Sequence, residues 1–230
     1  MSQGACCVER WRACGRRWHN SRMPGGKIRV LSVDDHPLLR EGIAAVVNNA
    51  PDMEVVAQAS NGRDAVQAFR DSRPDVTLMD LRLPDISGID AMIAIREQAH
   101  DARIIVLTTF VGDVEIQRAL AAGARGYLLK STPPHELTDA IRSVHEGKKR
   151  IPAEVAANLA EHLADEPLTE RERDVLRHVA GGNRNREIAD RLFISEETVK
   201  VHMKHIMDKL GATDRTQAVA IAVRRGIIAL

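Results

Sequence analysis

Apolar and polar positions follow two different patterns along the first two thirds of the chain. Short apolar runs rich in Val, Ile and Leu are each followed by a segment in which apolar residues recur every three or four positions. The first pattern is typical of buried strands and the second of amphipathic helices. The apolar runs lie at 27–33, 54–59, 76–83, 103–108 and 124–129. Five strands, each followed by a helix, predict an α/β domain over 27–147 with a parallel sheet covered on both faces.

The remainder of the chain has the helical pattern alone. Residues 148–167 are predicted to be a linker with a short helix, in which Val155, Leu159 and Leu163 recur at four-residue spacing. The segment 165–167, Asp-Glu-Pro, ends that helix. Residues 168–230 are predicted to form an all-α domain of four helices.

Residues typical of helix starts occur at two positions in this second domain. Thr169 followed three residues later by Glu172 predicts a capping box, and Ser195 predicts the start of a third helix. The inward positions of that helix are Val199, Met203, Ile206 and Leu210. Lys200, Val201 and Lys204 then fall on the opposite face, which is typical either of a helix that reads DNA or of an ordinary solvated surface.

Composition and charge restrict the kinds of function that this protein can have. Of the 230 residues, 44% are hydrophobic and only 3% aromatic, so aliphatic side chains must fill the cores. Residues 27–148 carry 14 Lys and Arg against 18 Asp and Glu, a net charge of −4, whereas residues 168–230 carry 12 against 9, a net charge of +3. A basic second domain favours contact with nucleic acid. No apolar run approaches the roughly 18 residues that span a bilayer, so we expect a soluble, cytoplasmic protein with no membrane partner.

The first 26 residues differ from the rest of the chain. They hold all three cysteines, both tryptophans and five arginines, and they lack the apolar stretch of a secretory signal. The cysteine spacing does not match the usual zinc pairs. We expect residues 1–26 to be a disordered N-terminal extension, with Met23 as an alternative start of translation.

Carboxylate, hydroxyl and amino side chains lie at the ends of several of the predicted strands. Asp34 and Asp35 follow the first strand, Asp80 ends the third, Thr108 the fourth and Lys130 the fifth. The carboxyl ends of parallel strands share one edge of a sheet, where ligands bind. Carboxylates crowded together repel one another unless a cation lies among them, and oxygen ligands suit Mg²⁺. A carboxylate can also accept a phosphoryl group, whose charge a metal ion and a lysine would neutralise. Each residue alone could have an ordinary structural role, such as helix capping, but the occurrence of all of them at strand ends favours this site.

These residues resemble those of response-regulator receiver domains over 27–147. The resemblance implies a flavodoxin-like, doubly wound (βα)5 fold with strand order 2-1-3-4-5, and phosphorylation of Asp80 by a sensor histidine kinase. It implies Mg²⁺ held by Asp35, Asp80 and the backbone carbonyl of Arg82, with Asp34 acting mainly through water. Lys130 would pair with the phosphoryl group. Thr108 and Tyr127 would be switch residues that move together on phosphorylation.

The second domain is similar to the LuxR-type helix-turn-helix. The resemblance is carried by Leu-Thr-Glu-Arg-Glu at 168–172, Asn-Arg-Glu-Ile-Ala at 185–189 and Thr-Val-Lys-Val-His at 198–202. Together with the receiver, it is typical of NarL/FixJ-type response regulators. The resemblance implies binding to double-stranded DNA, a homodimer formed on phosphorylation through the last helix, at about 213–225, and RNA polymerase as a possible partner. The expected DNA-binding residues are Arg184, Arg186, Thr198, Lys200, Val201, Lys204 and His205.

The sequence therefore predicts a transcription factor in which phosphorylation produces a dimer and frees the recognition helix. We expect no enzymatic turnover beyond the gain and slow loss of its own phosphoryl group. One alternative is a regulator that binds DNA regardless of phosphorylation, and another is a metal-dependent phosphatase with Asp80 as nucleophile. The phosphatase would need a substrate pocket and a second general acid, and no insert in the sequence is large enough to supply them.

Overall fold

The computed structural model describes residues 26–109, 112–162 and 165–228. The predicted N-terminal extension, apart from Gly26, and the linker residue Leu163 lie outside these ranges. None of the described helices is long and apolar enough to cross a membrane.

The first domain is built on five parallel strands in the order β2-β1-β3-β4-β5. The flavodoxin-like strand order is therefore confirmed. The strands are β1 (Ile28–Val33), β2 (Met53–Ala59), β3 (Val76–Met79), β4 (Ile104–Thr108) and β5 (Gly126–Leu129). Strand β5 begins two residues later than predicted, and Asp80 directly follows the last residue of β3, where the strand was expected to end. The pairing between β1 and β2 shifts register between Val30 and Leu31.

Helices cover both faces of the sheet, which explains why its strands are almost continuously apolar. The helices are α1 (Pro37–Asn49), α2 (Gly62–Ser72), α3 (Gly88–Gln98), α4 (Asp113–Ala121) and α5 (Pro134–His145). Buried residues of α1 and α5 pack together on one face, around Ile43, Val47 and Ile141. Those of α2, α3 and α4 pack on the other face, around Phe69, Ile95 and Ile116.

A linker helix extends the second of these layers. Helix α6 (Ala153–Glu161) buries Val155 completely and Leu159 partly in the layer formed by α2, α3 and α4. Just before it, Arg150 pairs with the free edge of β5, where its carbonyl accepts the Tyr127 N–H at 2.9 Å. Val155 and Leu159, the two described residues of the apolar stripe predicted for the linker, thus pack against the receiver.

Four helices form the second domain around one apolar cluster. They are α7 (Glu170–Ala180), α8 (Asn185–Leu192), α9 (Glu196–Leu210) and α10 (Arg215–Arg224). The predicted capping box of Thr169 and Glu172 is present, and Ser195 caps α9 by accepting the Thr198 N–H at 3.0 Å. Between α8 and α9 the chain turns at Phe193, which adopts φ of 54°. The predicted inward residues of α9 are buried or half-buried in the cluster.

One glycine fixes how closely α3 approaches the end of β3. Gly88 donates its N–H to the Leu81 carbonyl at 2.9 Å. A Cβ atom at this position would lie 1.9 Å from the Asp80 carbonyl oxygen, a backbone atom that cannot move aside cheaply. The start of α3 is therefore held directly against the backbone of Asp80.

Replacing Gly88 by Ala is expected to destabilise the receiver by about 1–3 kcal/mol, because the added methyl group overpacks a backbone contact. Gly42→Ala is the matched control, since Gly42 lies inside α1 with nothing within 4 Å of an added Cβ. That change should stabilise the receiver by about 0.5–1 kcal/mol through helix propensity. Denaturant unfolding of both variants checks this, and equal effects of the two substitutions would refute the close approach.

Candidate functional site

Asp80 is the centre of the candidate site at the carboxyl edge of the sheet. Its N–H donates to the Val33 carbonyl at 3.0 Å, which holds it beside the end of β1. The residue is only 2% exposed. Its Oδ1 accepts the Arg82 N–H at 3.2 Å, and its Oδ2 accepts a hydrogen bond from Lys130 Nζ at 2.7 Å. The ends of β3 and β5 therefore bring Asp80 and Lys130 into direct contact.

Lys130 lies between two buried carboxylates. Its Nζ is 2.7 Å from Asp80 Oδ2 and 2.7 Å from Asp34 Oδ2. Burial alone would lower the pKa of Lys130, but the two carboxylates outweigh burial and raise it. The lysine is therefore held as an ammonium ion, which is the form that can neutralise an anionic group.

Asp34, Asp35 and Asp80 form the acidic cluster, together with His36, which we did not predict. One ligand atom from each of these four residues lies within 4.8 Å of the others. His36 Nδ1 is 2.7 Å from Asp35 Oδ1, and the His36 N–H donates to Asp34 Oδ1 at 2.9 Å. The backbone N–H thus orients Asp34, while Asp35 remains on the open side of the cluster.

The donor set fits a hard cation. Asp34 Oδ2 is buried, and the Lys130 ammonium group, at 2.7 Å, is its ion-pair partner. Burial raises the pKa of the Asp80 carboxyl, and the bond from Lys130 only partly offsets this effect. A divalent cation among these oxygens would favour the ionised form of Asp80. Oxygen ligands with room for water are typical of Mg²⁺ sites.

The two predicted switch residues lie on neighbouring strands. Thr108, at the end of β4, is buried, and its carbonyl accepts the Lys130 N–H at 2.8 Å. Tyr127, in the middle of β5, has no exposed surface, and burial together with the charge of Glu115 raises the pKa of its phenol. Tyr127 and the linker residue Val155 belong to the same apolar cluster, so the linker helps to enclose the tyrosine.

Asp85 holds the loop that carries Arg82, and sequence reasoning missed it. Its two carboxylate oxygens accept the N–H groups of Gly62 at 2.7 Å and Arg63 at 3.0 Å, at the start of α2. A Cβ atom at Gly62 would lie 2.4 Å from the Ile86 side chain, so this loop packs tightly on α2. Partners 22 and 23 residues apart leave no periodic signal, which is why the sequence did not reveal this anchor.

The predicted DNA-binding residues form an exposed face on the second domain. Lys200, Val201, Lys204 and His205 are exposed on α9, Thr198 is half-buried at its start, and Arg184 and Arg186 are exposed around the start of α8. Val201 is 47% exposed although it is apolar. Because this face is already exposed, the structure does not show the covered recognition helix that we expected phosphorylation to free.

Helix α9 is anchored at its far end by a cluster that the sequence did not reveal. Lys209 Nζ lies 3.0 Å from Glu172 Oε2 and 2.9 Å from Glu166 Oε1. Glu172 also caps α7, so a single buried carboxylate fixes α7 and α9 relative to each other. The exposed face of α9 is therefore carried by a firmly positioned helix.

The first domain is an α/β domain with a lysine-bridged acid cluster at the carboxyl edge of its sheet, and the second is a helix-turn-helix domain. This combination defines the class of regulators in which a receiver domain is joined to a DNA-binding domain. Comparisons with known proteins agree with this assignment. Residues 30–142 match the response regulator receiver domain, and residues 166–222 match the bacterial regulatory proteins of the luxR family.

Relatives extend this similarity over most of the chain. The transcriptional regulatory protein YxjL of Bacillus subtilis (strain 168) is 44% identical over 214 residues, which is 88% of this chain and 98% of that protein. LiaR of the same organism is 39% identical over 209 residues, covering 87% and 99% of the two chains. The chain therefore belongs to the two-component response regulators with a receiver domain and a LuxR-type DNA-binding domain.

Solved structures show the same architecture. The response regulator ChrA of a heme-sensing two-component system is 36% identical, with a TM-score of 0.54 over 88% of this chain and all of that chain. A complex of the response regulator RcsB with DNA is 26% identical, with a TM-score of 0.65 over 86% of this chain and 99% of that chain.

Asp85 generates a prediction about pH. Although desolvation opposes it, the N–H groups of Arg63, Ile86 and Gly62 hold the pKa of this carboxyl at about 2, below its usual value of 3.8. A carboxyl whose pKa is lower in the folded state contributes stability above its unfolded pKa and loses it as the pH falls. The stability difference between wild type and Asp85→Asn should be nearly full above pH about 4 and be lost as the pH falls through about 2. Chemical denaturation across this range measures it, and a difference that is constant with pH would contradict the anchor.

Proposed function

We propose that Asp80 accepts a phosphoryl group from a sensor histidine kinase and that this step controls DNA binding. The observation that carries the proposal is the placement of the buried Asp80 carboxylate 2.7 Å from Lys130 Nζ, within the cluster of Asp34 and Asp35. One oxygen of Asp80 attacks the phosphorus atom of the kinase phosphohistidine. The P–N bond breaks with its electron pair on the imidazole nitrogen, and a P–O bond to Asp80 forms.

The surrounding residues have separate roles in this step. Mg²⁺, held by Asp35, Asp80 and the Arg82 backbone carbonyl, with Asp34 acting through water, would neutralise charge on the transferred group. Lys130 pairs with the phosphoryl oxygens by moving from its present bond with Asp80. The Thr108 hydroxyl donates to the product phosphoryl group, and Thr108 and Tyr127 then shift together. The anchor from Asp85 supports these roles, because it fixes the loop that presents the Arg82 carbonyl.

The proposed output is sequence-specific binding to double-stranded DNA by a homodimer. The members of the exposed face are a positively charged set with one apolar side chain, which suits phosphates and a thymine methyl group. Lys200 bonds Glu197 at 3.0 Å and would exchange this weak surface partner for a base. Arg184 and Arg186 would contact phosphates, and the last helix would supply the dimer surface. Contact with RNA polymerase and a cytoplasmic location belong to the same proposal.

A second candidate is DNA binding that does not depend on phosphorylation. The exposure of the DNA-binding face favours it. Equal affinity of one operator for the protein with and without acetyl phosphate would select this alternative. The presence of every receiver residue needed for phosphorylation favours the controlled form.

Treatment with acetyl phosphate and Mg²⁺ should add one phosphoryl group to the protein, and Asp80→Asn should prevent it. The amide has no oxygen nucleophile of comparable strength. Asp101→Asn is the control, because Asp101 is an exposed acid that lies before β4, at the opposite end of the strands from the site. Intact mass spectrometry measures the adduct, which hydroxylamine should remove. Undiminished labelling of the Asp80→Asn protein would place the acceptor elsewhere.

Loss of Lys200 or Lys204 should weaken DNA binding without affecting phosphorylation. A lost base contact costs about 1–3 kcal/mol and relaxes specificity at one position, whereas a lost phosphate contact lowers the salt slope by about one unit. We expect the first effect for Lys200→Ala and a mixture for Lys204→Ala. Val201→Glu should be worse than either, because it places a carboxylate against the phosphates.

The matched control is Lys149→Ala, since Lys149 is an exposed linker lysine outside the helix-turn-helix. Fluorescence anisotropy titrations at several salt concentrations measure these affinities. If both α9 variants bind like wild type while the protein is fully phosphorylated, α9 is not the recognition helix.

A further inference from the structure

Five arginines lie along the edge of the receiver sheet where the strands begin, opposite the acid cluster. Arg29 is the second residue of β1, and Arg103 and Arg125 directly precede β4 and β5. Arg73, the C-cap of α2, lies three residues before β3, and Arg150 pairs beside the first residue of β5. We use "arginine edge" for these five residues.

Backbone hydrogen bonds hold the arginine edge in the order of the strands. The Arg103 carbonyl accepts the Thr77 N–H of β3 at 2.9 Å, and the Arg125 N–H donates to the Ile104 carbonyl of β4 at 2.8 Å. The Arg150 N–H donates to the Arg125 carbonyl at 2.9 Å. Neighbouring strands lie about 4.8 Å apart, so the four spacings from β1 to Arg150 make the edge about 19 Å long.

The arginine edge is positively charged although the receiver as a whole is negative, with a net charge of −4 over residues 27–148. Three carboxylates lie near it. They are Glu54, the neighbour of Arg29 on β2, Asp75, which accepts the Arg29 N–H at 2.9 Å, and Asp101, which is exposed before β4. The five arginines and Lys27 outnumber these acids. The receiver therefore has an acidic carboxyl edge and a basic amino edge.

Helix capping explains only part of this basic edge. Cations are stabilising near the carboxyl ends of helices, and Arg29 has this role, since its Nη1 donates to the Arg73 carbonyl at the end of α2 at 3.2 Å. The side chains of Arg103, Arg125 and Arg150, by contrast, make no hydrogen bond or ion pair with any residue that the structure describes. Arg150 is exposed and the other two are half-buried. These three charges are held by fixed backbone and are available to a partner.

An extended polyanion suits this edge better than a small anion, because the guanidinium groups are spread along a line and do not converge on one pocket. Guanidinium groups bind phosphate through paired N–H donors. A DNA duplex carries about one phosphate charge per 1.7 Å, so a length of about 19 Å presents about 11 of them. DNA is also the polyanion that this chain is proposed to hold, and the linker that leads to the DNA-binding domain starts at the arginine edge itself.

We infer that the arginine edge contacts phosphates of the DNA that flanks the site bound by α9. This inference rests on the proposed binding of DNA by the second domain. Contacts of this kind position the receiver on the duplex but read no bases.

The position of the second domain sets how much flanking DNA the contact needs. That domain meets the receiver at the opposite edge, where the Arg225 carbonyl accepts the Val114 N–H at 3.3 Å. The six residues of β1, at about 3.3 Å each, separate the two edges by about 20 Å. At about 3.4 Å per base pair, DNA covers this distance in about six base pairs, so a site without that much flanking duplex cannot reach the arginine edge.

The test compares two duplexes, each titrated with the full chain. The short duplex has about 20 base pairs selected from random sequences for tight binding, and the long duplex adds about 15 base pairs of fixed sequence at each end. Fluorescence anisotropy at several salt concentrations gives the slope of log affinity against log salt. Each phosphate contact contributes about 0.9 units to this slope, so three contacts should make the wild-type slope steeper by about 2.7 units on the long duplex.

The triple variant with Arg103→Gln, Arg125→Gln and Arg150→Gln should lose this difference in slope and still bind the short duplex like wild type. Arg63→Gln is the matched control, because Arg63 is exposed at the start of α2, at the opposite edge, and it should keep the full difference. If the triple variant is poorly folded, Arg150→Gln alone decides the matter. It replaces only an exposed side chain and should lower the slope on the long duplex by about 0.9 units.

The inference is overturned if the wild-type slopes on the two duplexes are equal, which would leave an acidic protein as the candidate partner of the arginine edge. It is also overturned if the folded triple variant, or Arg150→Gln in its place, keeps the wild-type difference. Failure of the proposed DNA-binding face is a separate result, because Lys200→Ala would then bind the short duplex like wild type. The Lys149→Ala control for α9 belongs on the short duplex, since Lys149 adjoins the arginine edge.

Discussion

The ammonium group of Lys130 between the buried carboxylates of Asp80 and Asp34 is the interaction on which the rest of this structure depends. Two carboxylates with almost no exposure would repel each other, and each would lose the solvation of its charge. The lysine offsets part of this cost, and a cation at the same oxygens would offset more. Only a parallel sheet brings these three residues to one edge, because each follows a different strand at its carboxyl end. The five-stranded topology is therefore the means by which residues far apart in sequence become one site.

The DNA-binding domain solves a different problem, which is to present a charged face on a firmly held helix. Its single apolar cluster fixes the inner side of α9, and Lys209 fixes the last turn through Glu172. The outer side of α9 is left exposed. The receiver contacts this domain elsewhere, where the Arg225 carbonyl at the end of α10 accepts the Val114 N–H in the first turn of α4 at 3.3 Å.

Periodicity and strand ends revealed much of this from the sequence. Alternating strands and helices predicted the sheet, and the residues at the carboxyl ends of β1, β3, β4 and β5 predicted the members of the site. Capping chemistry located α7 and α9 at Thr169 and Ser195. What the sequence did not reveal are long-range polar pairs, namely Asp85 with the start of α2 and Asp113 with Arg225, 112 residues apart. Such pairs leave no periodic pattern in the sequence, and each residue alone is indistinguishable from a solvated surface charge. Their detection needed the packing of one element against another.

The central proposal is that phosphorylation of Asp80 controls DNA binding. Fluorescence anisotropy of one labelled operator, titrated with the same protein before and after acetyl phosphate and Mg²⁺, tests it most directly. We expect tighter binding after the treatment for the wild-type protein and no change for the Asp80→Asn protein. Equal affinity before and after the treatment, for a chain shown by its mass to carry the phosphoryl group, would contradict the proposal.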